Sequence, residues 1–160
     1  MAKKRIEKFI DSFRSDTEPV IVLIFGDHMP WLGNRNFVYH ELAINIDRDT
    51  EEGYLNYYST PYIIWANDPA KETLGNDFTG ERGSFSPGFL MGELFDLCSW
   101  QGEGYMQALR ELKETVDVIN PLIGVFRENG TMTPELSPAA EAQYRKLRMM
   151  ELYRLNNFFY

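Results

Sequence analysis

The sequence predicts a layered α/β fold with a mostly parallel central sheet, together with a small β-hairpin and a C-terminal helix. Three observations carry that expectation. Two short apolar runs, Val20 to Phe25 and Tyr62 to Ala66, read as neighbouring central strands. Apolar residues recur at helical spacing in the stretches around them, and an Asn129-Gly130 pair sits between two strand-like pieces. The length, 160 residues and 18.7 kDa, is that of a single domain, 1–160. A 44% hydrophobic and 25% charged composition provides for a core and excludes a disordered or fibrous chain.

In chain order, Ile6, Phe9, Ile10 and Phe13 fall at i, i+3, i+4 and i+7, an amphipathic helix that turn-forming residues end between Asp16 and Pro19. Val20-Ile21-Val22-Leu23-Ile24-Phe25 lacks polar alternation and is mostly β-branched, as in a strand buried on both faces of a parallel sheet. Gly26 breaks it, and Asp27-His28 follow at its C-terminal end. A polar stretch from Pro30 to Asn36 and a mixed segment to Tyr58 lead to Pro61 and the second strand, which stops at Asn67-Asp68-Pro69. Lys71 to Gly83 is polar and glycine-rich and reads as a loop.

Ser86-Pro87 has the form of a helix cap with proline at the first helical position. Leu90, Met91, Leu94, Phe95 and Cys98 would form that helix's buried stripe, and Tyr105, Leu109, Leu112 and Val116 that of the next, with Gly102 and Gly104 between them. Leu122 to Thr133 reads as the hairpin turning at Asn129-Gly130. Ser137-Pro138 caps a last helix through Tyr144, Leu147, Met150 and Tyr153 to an aromatic tail, Phe158-Phe159-Tyr160.

Composition narrows the function. With 16 Lys+Arg against 24 Asp+Glu the net charge is -8, which argues against a nucleic-acid surface, since that needs clustered cations to displace counterions. No apolar run approaches the roughly 20 residues of a membrane-spanning helix. The basic start, Lys3-Lys4-Arg5, leads into an amphipathic pattern and so does not read as a secretion signal. One cysteine, Cys98, excludes a disulfide framework within the chain and a Cys-rich zinc site.

Ligands of open parallel sheets collect beyond the carboxyl ends of the strands, where Asp27 and His28 stand. A carboxylate oxygen beside an imidazole nitrogen suits Mn²⁺, Zn²⁺ or Mg²⁺. On spacing alone the plainer account, an Asp capping the loop and a His bonded to backbone, is favoured.

The stretch Pro19-Val20-Ile21-Val22-Leu23-Ile24-Phe25-Gly26-Asp27-His28-Met29-Pro30-Trp31-Leu32-Gly33 resembles the late metal-binding strand and loop of the lipoteichoic acid synthase and phosphoglycerol transferase group, sulfatase-like enzymes of the alkaline phosphatase superfamily. Thr60 to Asn67 is similar to that group's next strand, and Ser86-Pro87-Gly88-Phe89-Leu90 to its following helix start. Val118-Ile119-Asn120, the Asn129-Gly130 turn and a Tyr/Leu-rich last helix fall in the family's order. The resemblance implies the C-terminal portion of an alkaline-phosphatase-like catalytic domain. It implies one divalent ion, manganese foremost, held by Asp27 and His28 together with an upstream Glu and an upstream Thr nucleophile that have no counterpart here. It also implies a phosphoglycerol-type or other phosphate or sulfate ester as substrate, and a membrane-anchored parent with an extracellular catalytic domain. The nucleophile being absent, the isolated chain is expected to be inactive.

Of the remaining candidates, Trp31 follows the metal-pair loop and stands as a possible wall of a substrate cleft, against simple packing, and His40 as a weaker substrate contact. Thr60 and Ser86 lack a neighbouring base and read as structural residues, Trp65 and Trp100 as packing, and the acids Asp47, Asp49, Glu51 and Glu52 as a solvated face. A competing function is a non-catalytic module that pairs through an exposed sheet edge. A homo-oligomer built on such an edge is expected under either reading. A dinuclear phosphoesterase is disfavoured, because two histidines are too few for a two-metal ligand set.

Overall fold

The computed structural model describes residues 2–158, which form a mixed α/β structure; Phe159 and Tyr160 of the expected aromatic tail lie outside the described residues. The chain gathers into two compact units, one reaching to Thr79 and one starting at Gly80.

The first unit opens with helix α1 (Ala2–Asp11). Of its expected stripe only Ile10 is buried, while Phe9 stays exposed and meets Phe13 edge to face at 5.1 Å. Strands β1 (Ile21–Phe25) and β2 (Tyr62–Ala66) are the two apolar runs, and they pair with each other as expected. Their pairing is antiparallel, from Ile21 opposite Ala66 to Phe25 opposite Tyr62, and not the parallel arrangement read from the sequence. A continuous apolar run signals burial but carries no information about strand direction. Nor are the strands buried on both faces: of their residues only Ala66 is fully buried.

Between the strands the structure adds a turn of 3₁₀ helix (Asn34–Asn36) and the short helices α2 (Phe37–Glu41) and α3 (Glu51–Tyr58). Thr50 caps α3 by accepting from Gly53 N at 3.1 Å, with Glu51 and Glu52 in the first turn, where they favour the positive end of the helix dipole. After β2 the expected loop from Lys71 instead begins as helix α4 (Asp68–Leu74). Asn67 caps it, Pro69 lies in its first turn, and Gly75, at φ 61, ends it in the left-handed conformation.

Asn67 is also the unit's main polar knot. Its buried side chain accepts from Val20 N at 2.9 Å and Ala70 N at 3.1 Å, and its amide donates to Glu18 O at 2.8 Å. One side chain therefore ties the start of β1, the end of β2 and the start of α4.

The second unit has a closed core. A 3₁₀ turn (Pro87–Phe89) leads into α5 (Leu90–Leu97), and α6 (Gly104–Lys113) follows after Gly102, which sits at φ 69. Val116, expected at the end of a helical stripe, is instead fully buried at the start of β3 (Val116–Asn120), where β-branched residues take over. β3, β4 (Val125–Glu128) and β5 (Thr131–Thr133) form an antiparallel sheet in that order. The β4–β5 hairpin turns at Asn129-Gly130, whose φ values of 49° and 78° are those of a type I′ turn.

Helix α7 (Pro138–Phe158) starts at Ser137, whose hydroxyl accepts from Ala140 N at 3.3 Å. Phe89, Ala108, Leu109, Leu112, Val116, Ala140 and Leu147 pack as one cluster, supported by Tyr144 and Met150, while Tyr153 of the expected stripe is exposed. Ser86 does not cap its helix by side chain: its hydroxyl donates to Ile119 O at 3.2 Å and accepts from Ile119 N at 2.7 Å, clasping β3.

Trp65 is half-buried under the Arg14 guanidinium, as packing would have it, whereas Trp100 meets Phe95 edge to face at 5.5 Å but is 45% exposed, so it is a surface contact and not a core residue. Among the described residues no helix is long and apolar enough to cross a membrane.

Candidate functional site

Two hydrogen bonds tie the C-terminal end of β1 to the entry of β2. Gly26 N donates to Pro61 O at 3.0 Å, and the Thr60 hydroxyl donates to Gly26 O at 2.8 Å. A Cβ at Gly26 would stand 2.7 Å from Thr60 Cβ, so glycine is what lets the strand end approach β2 this closely. Thr60 is thereby spent on the strand junction, as its sequence context indicates.

Asp27 and His28 leave this anchored end directly. Their side chains are 97% and 77% exposed, and Asp27 Oδ2 lies 3.8 Å from His28 Nε2. His28 Nδ1 is 3.0 Å from Met29 O. A carbonyl oxygen only accepts, so that bond requires the proton on Nδ1 and leaves the Nε2 lone pair, in the neutral ring, on the side of the Asp27 carboxylate. A backbone carbonyl fixing the tautomer of an imidazole in this way is the arrangement found behind metal-ligating histidines. Neither side chain caps the loop that follows, so the plainer reading of Asp27 has no hydrogen bond behind it; His28 does bond to backbone, through the nitrogen that a metal would not use.

The loop is fixed by other residues. Asn36, buried and left-handed at φ 59, accepts from Leu32 N at 3.2 Å. The buried Tyr39 donates its hydroxyl to Pro30 O at 2.7 Å. Gly33 and Arg35 are also left-handed, at φ 73 and 52. Three such residues in four positions make a sharply folded loop that its two buried polar side chains hold in place. Trp31 is carried on this loop and is 70% exposed, with its ring free of the core.

Asp27 and His28 are therefore brought together, with Trp31 on the same loop. His40 is exposed on the separate helix α2 and makes no contact with the pair that would join it to the site. Among the described residues no group of three or more His, Cys, Asp and Glu side chains is assembled to hold a metal ion. The donor types of Asp27 and His28 fit a divalent ion of the manganese or zinc kind, as two ligands of a set that needs more.

The residues that the sequence did not single out are Asn36 and Tyr39. An asparagine in a glycine-bearing polar stretch was the available signal for the first; nothing in periodicity points to the second. Away from the loop, Glu93 is 3% exposed and pairs with Lys113 and, at 3.4 Å, with Arg82, while Arg127 grips Asp117 at 2.7 and 3.0 Å and also donates to Ser84 O. These pairs, all within the second unit, hold its opening segment before Ser86 to α5, α6 and β3. Burial pushes the Cys98 thiol above its ordinary pKa, which keeps it protonated and poorly nucleophilic. No family model, curated protein or solved structure matches this chain.

Proposed function

We propose that this chain is the C-terminal portion of a sulfatase-like catalytic domain that transfers or hydrolyses phosphoglycerol-type phosphate or sulfate esters, and that Asp27 and His28 supply two ligands for its divalent ion, Mn²⁺ foremost. The observation that carries this reading is an exposed carboxylate and an exposed imidazole, adjacent at an anchored strand end, with the imidazole proton directed away from the carboxylate by Met29 O. Folding makes no use of either group's metal-facing atoms.

In this reading β1 and β2 are the late strands of a larger, mostly parallel sheet. The remaining ligands and the Thr nucleophile belong to the upstream part of a membrane-anchored protein whose catalytic domain is extracellular. When bound, the ion lowers the pKa of a hydroxyl nucleophile and neutralises charge on the transferred group. Asp27 contributes a hard anionic oxygen. His28 contributes Nε2, presented by the Nδ1–Met29 bond. Trp31, on the same loop, offers an apolar wall, while His40, on the separate helix α2, takes no part. The chain itself supplies positioning without the bond-forming atom, so a chromogenic phosphodiester should turn over negligibly.

Calorimetric titration with Mn²⁺ and with Zn²⁺ tests the reading. Weak binding that disappears in both Asp27→Ala and His28→Ala, with the far-ultraviolet circular dichroism unchanged, supports it, because two ligands do not make a closed site. Tight binding that survives Asp27→Ala would place the site elsewhere. A second reading, a non-catalytic interaction module, is favoured by the thinly covered β1–β2 pair and predicts association with no metal dependence.

A further inference from the structure

We infer that the outward face of helix α1 is a membrane-contact surface, on which Lys4, Arg5 and Lys8 meet the phosphates of an acidic lipid leaflet while Phe9 enters its apolar edge. The inference starts from where the chain keeps its positive charge. Through Arg14 the chain carries five basic residues against two acidic ones, and the remainder carries eleven against twenty-two. Basic side chains elsewhere commonly face a carboxylate, as Lys71, Arg110 and Arg127 do within 3.6 Å. Among the described residues Lys4, Arg5 and Lys8 are exposed and make no ion pair, and the acids of the same helix, Glu7 and Asp11, are engaged with Lys3 and Arg14 instead.

Helix geometry puts these groups on one face. Among the described side chains of α1 only Ile10 is buried, so it marks the inward side. Successive residues advance about 100° around the axis, which sets Lys8 about 160° and Arg5 about 140° from Ile10, with Lys4 on one flank and Phe9 on the other. Lys4 and Lys8 at i, i+4, and Arg5 and Lys8 at i, i+3, are surface neighbours, where like charges repel. Arg5 and Phe9 are stacked at i, i+4 in the same way, and Phe9 is 51% exposed with Phe13 edge to face beside it. Neither the repulsion nor the exposed ring stabilises the fold, and an acidic bilayer relieves both.

Charge and the ring together choose the occupant. Clustered Lys and Arg beside an exposed Phe on an amphipathic helix are what helices lying in a lipid interface carry. Duplex nucleic acid would engage the cations alone, and three of them in a chain of net charge -8 release few counterions. An acidic leaflet offers phosphates and an apolar phase side by side, and it is screened from acids elsewhere in the chain beyond about 8 Å at physiological salt. Each cation brought to such a surface adds roughly fivefold to partitioning, so the three make a reversible attachment worth about a hundredfold. The contact is independent of the proposed metal pair: it uses neither Asp27 nor His28 and persists with both replaced by alanine.

Flotation of the full chain with vesicles of phosphatidylcholine alone, and of phosphatidylcholine mixed with phosphatidylserine, tests the inference; EDTA is present so that no divalent ion bridges a headgroup to Asp27 and His28. Partitioning should be about a hundredfold stronger on the acidic vesicles and should weaken as salt is raised. The combined variant Lys4→Ala, Arg5→Ala and Lys8→Ala should lose that preference while keeping the circular dichroism of the parent, since the three side chains are exposed and alanine favours a helix. Phe9→Ala should bind the acidic vesicles severalfold more weakly yet still prefer them to neutral ones. Hydrogen exchange on the unaltered protein needs no variant: amides of Ala2–Asp11 should gain protection with acidic vesicles and not with neutral ones. Equal binding to both vesicles, binding that survives the triple variant, a Phe9→Ala protein that binds as tightly as wild type, unchanged exchange in α1, or a DNA duplex bound as tightly as acidic vesicles at the same salt would each overturn the inference.

Discussion

The two units use apolar residues in opposite ways. In β1 and β2, two runs of five residues, every one apolar, leave only Ala66 buried. In the second unit, β3 alternates, with Val116 and Val118 buried and Asp117 turned to Arg127, and a single cluster joins α6, β3 and α7. The more hydrophobic sheet is thus the less covered one. The second unit satisfies its own apolar surface, whereas the first holds its shape through polar ties at Asn67, Thr60 and Asn36.

The comparison breaks most visibly on paired truncations. Leu112→Ala removes a fully buried side chain from the second unit's cluster and should cost about 2–5 kcal/mol in urea unfolding. Phe25→Ala, a larger truncation by volume but at an exposed strand position, should cost under about 1 kcal/mol. Equal costs would mean that β1 has a core of its own, and the contrast between the units would fall.

A polar probe sharpens the other side. Asn67→Ala leaves Val20 N and Ala70 N without their side-chain acceptor and Glu18 O without its side-chain donor, in a site that water does not reach freely. A loss of about 1–3 kcal/mol is expected, with Leu making a worse replacement than Asp, which still accepts from both amides. If Asp rescued nothing, the donor side of Asn67 would dominate the knot.

Much of this arrangement is legible in the chain. The apolar runs, the Asn129-Gly130 turn, the Ser137 cap and the break at Gly102 are local signals, and local chemistry decided each of them. Strand direction was not legible, because an unbroken run such as Ile21–Phe25 has no alternation to register and the long connection to Tyr62 suits either sense. The helices α2 to α4 are short and lack a strong apolar stripe, so their only marks are the caps Thr50 and Asn67, the latter followed by Pro69. Of the candidate site, the adjacency of Asp27 and His28 could be read directly. The supports could not, since a left-handed Asn36 and a Tyr39 bonded to Pro30 O have no periodic signature.

The smallest expected effect lies where the second unit also depends on a polar tie. Glu128, at the end of β4, accepts from the Ser137 hydroxyl at 2.6 Å and from Ser137 N at 2.8 Å. Those two bonds favour the ionised carboxylate and hold its pKa below the ordinary glutamate value. A carboxyl group whose folded pKa is depressed adds stability that is fully present above its unfolded pKa and fades as pH falls through the folded one. Wild-type protein should therefore exceed Glu128→Gln in stability near neutrality, and the gap should close through the acidic side of the carboxylate range. Because the group is solvent-accessible, the gap should be small and should shrink further in high salt. Urea unfolding of both proteins across that pH range measures it. A gap that stays constant with pH would assign the role of Glu128 to shape and hydrogen bonding alone, and a gap that widens on acidification would mean that the protonated carboxyl is the form that bonds Ser137.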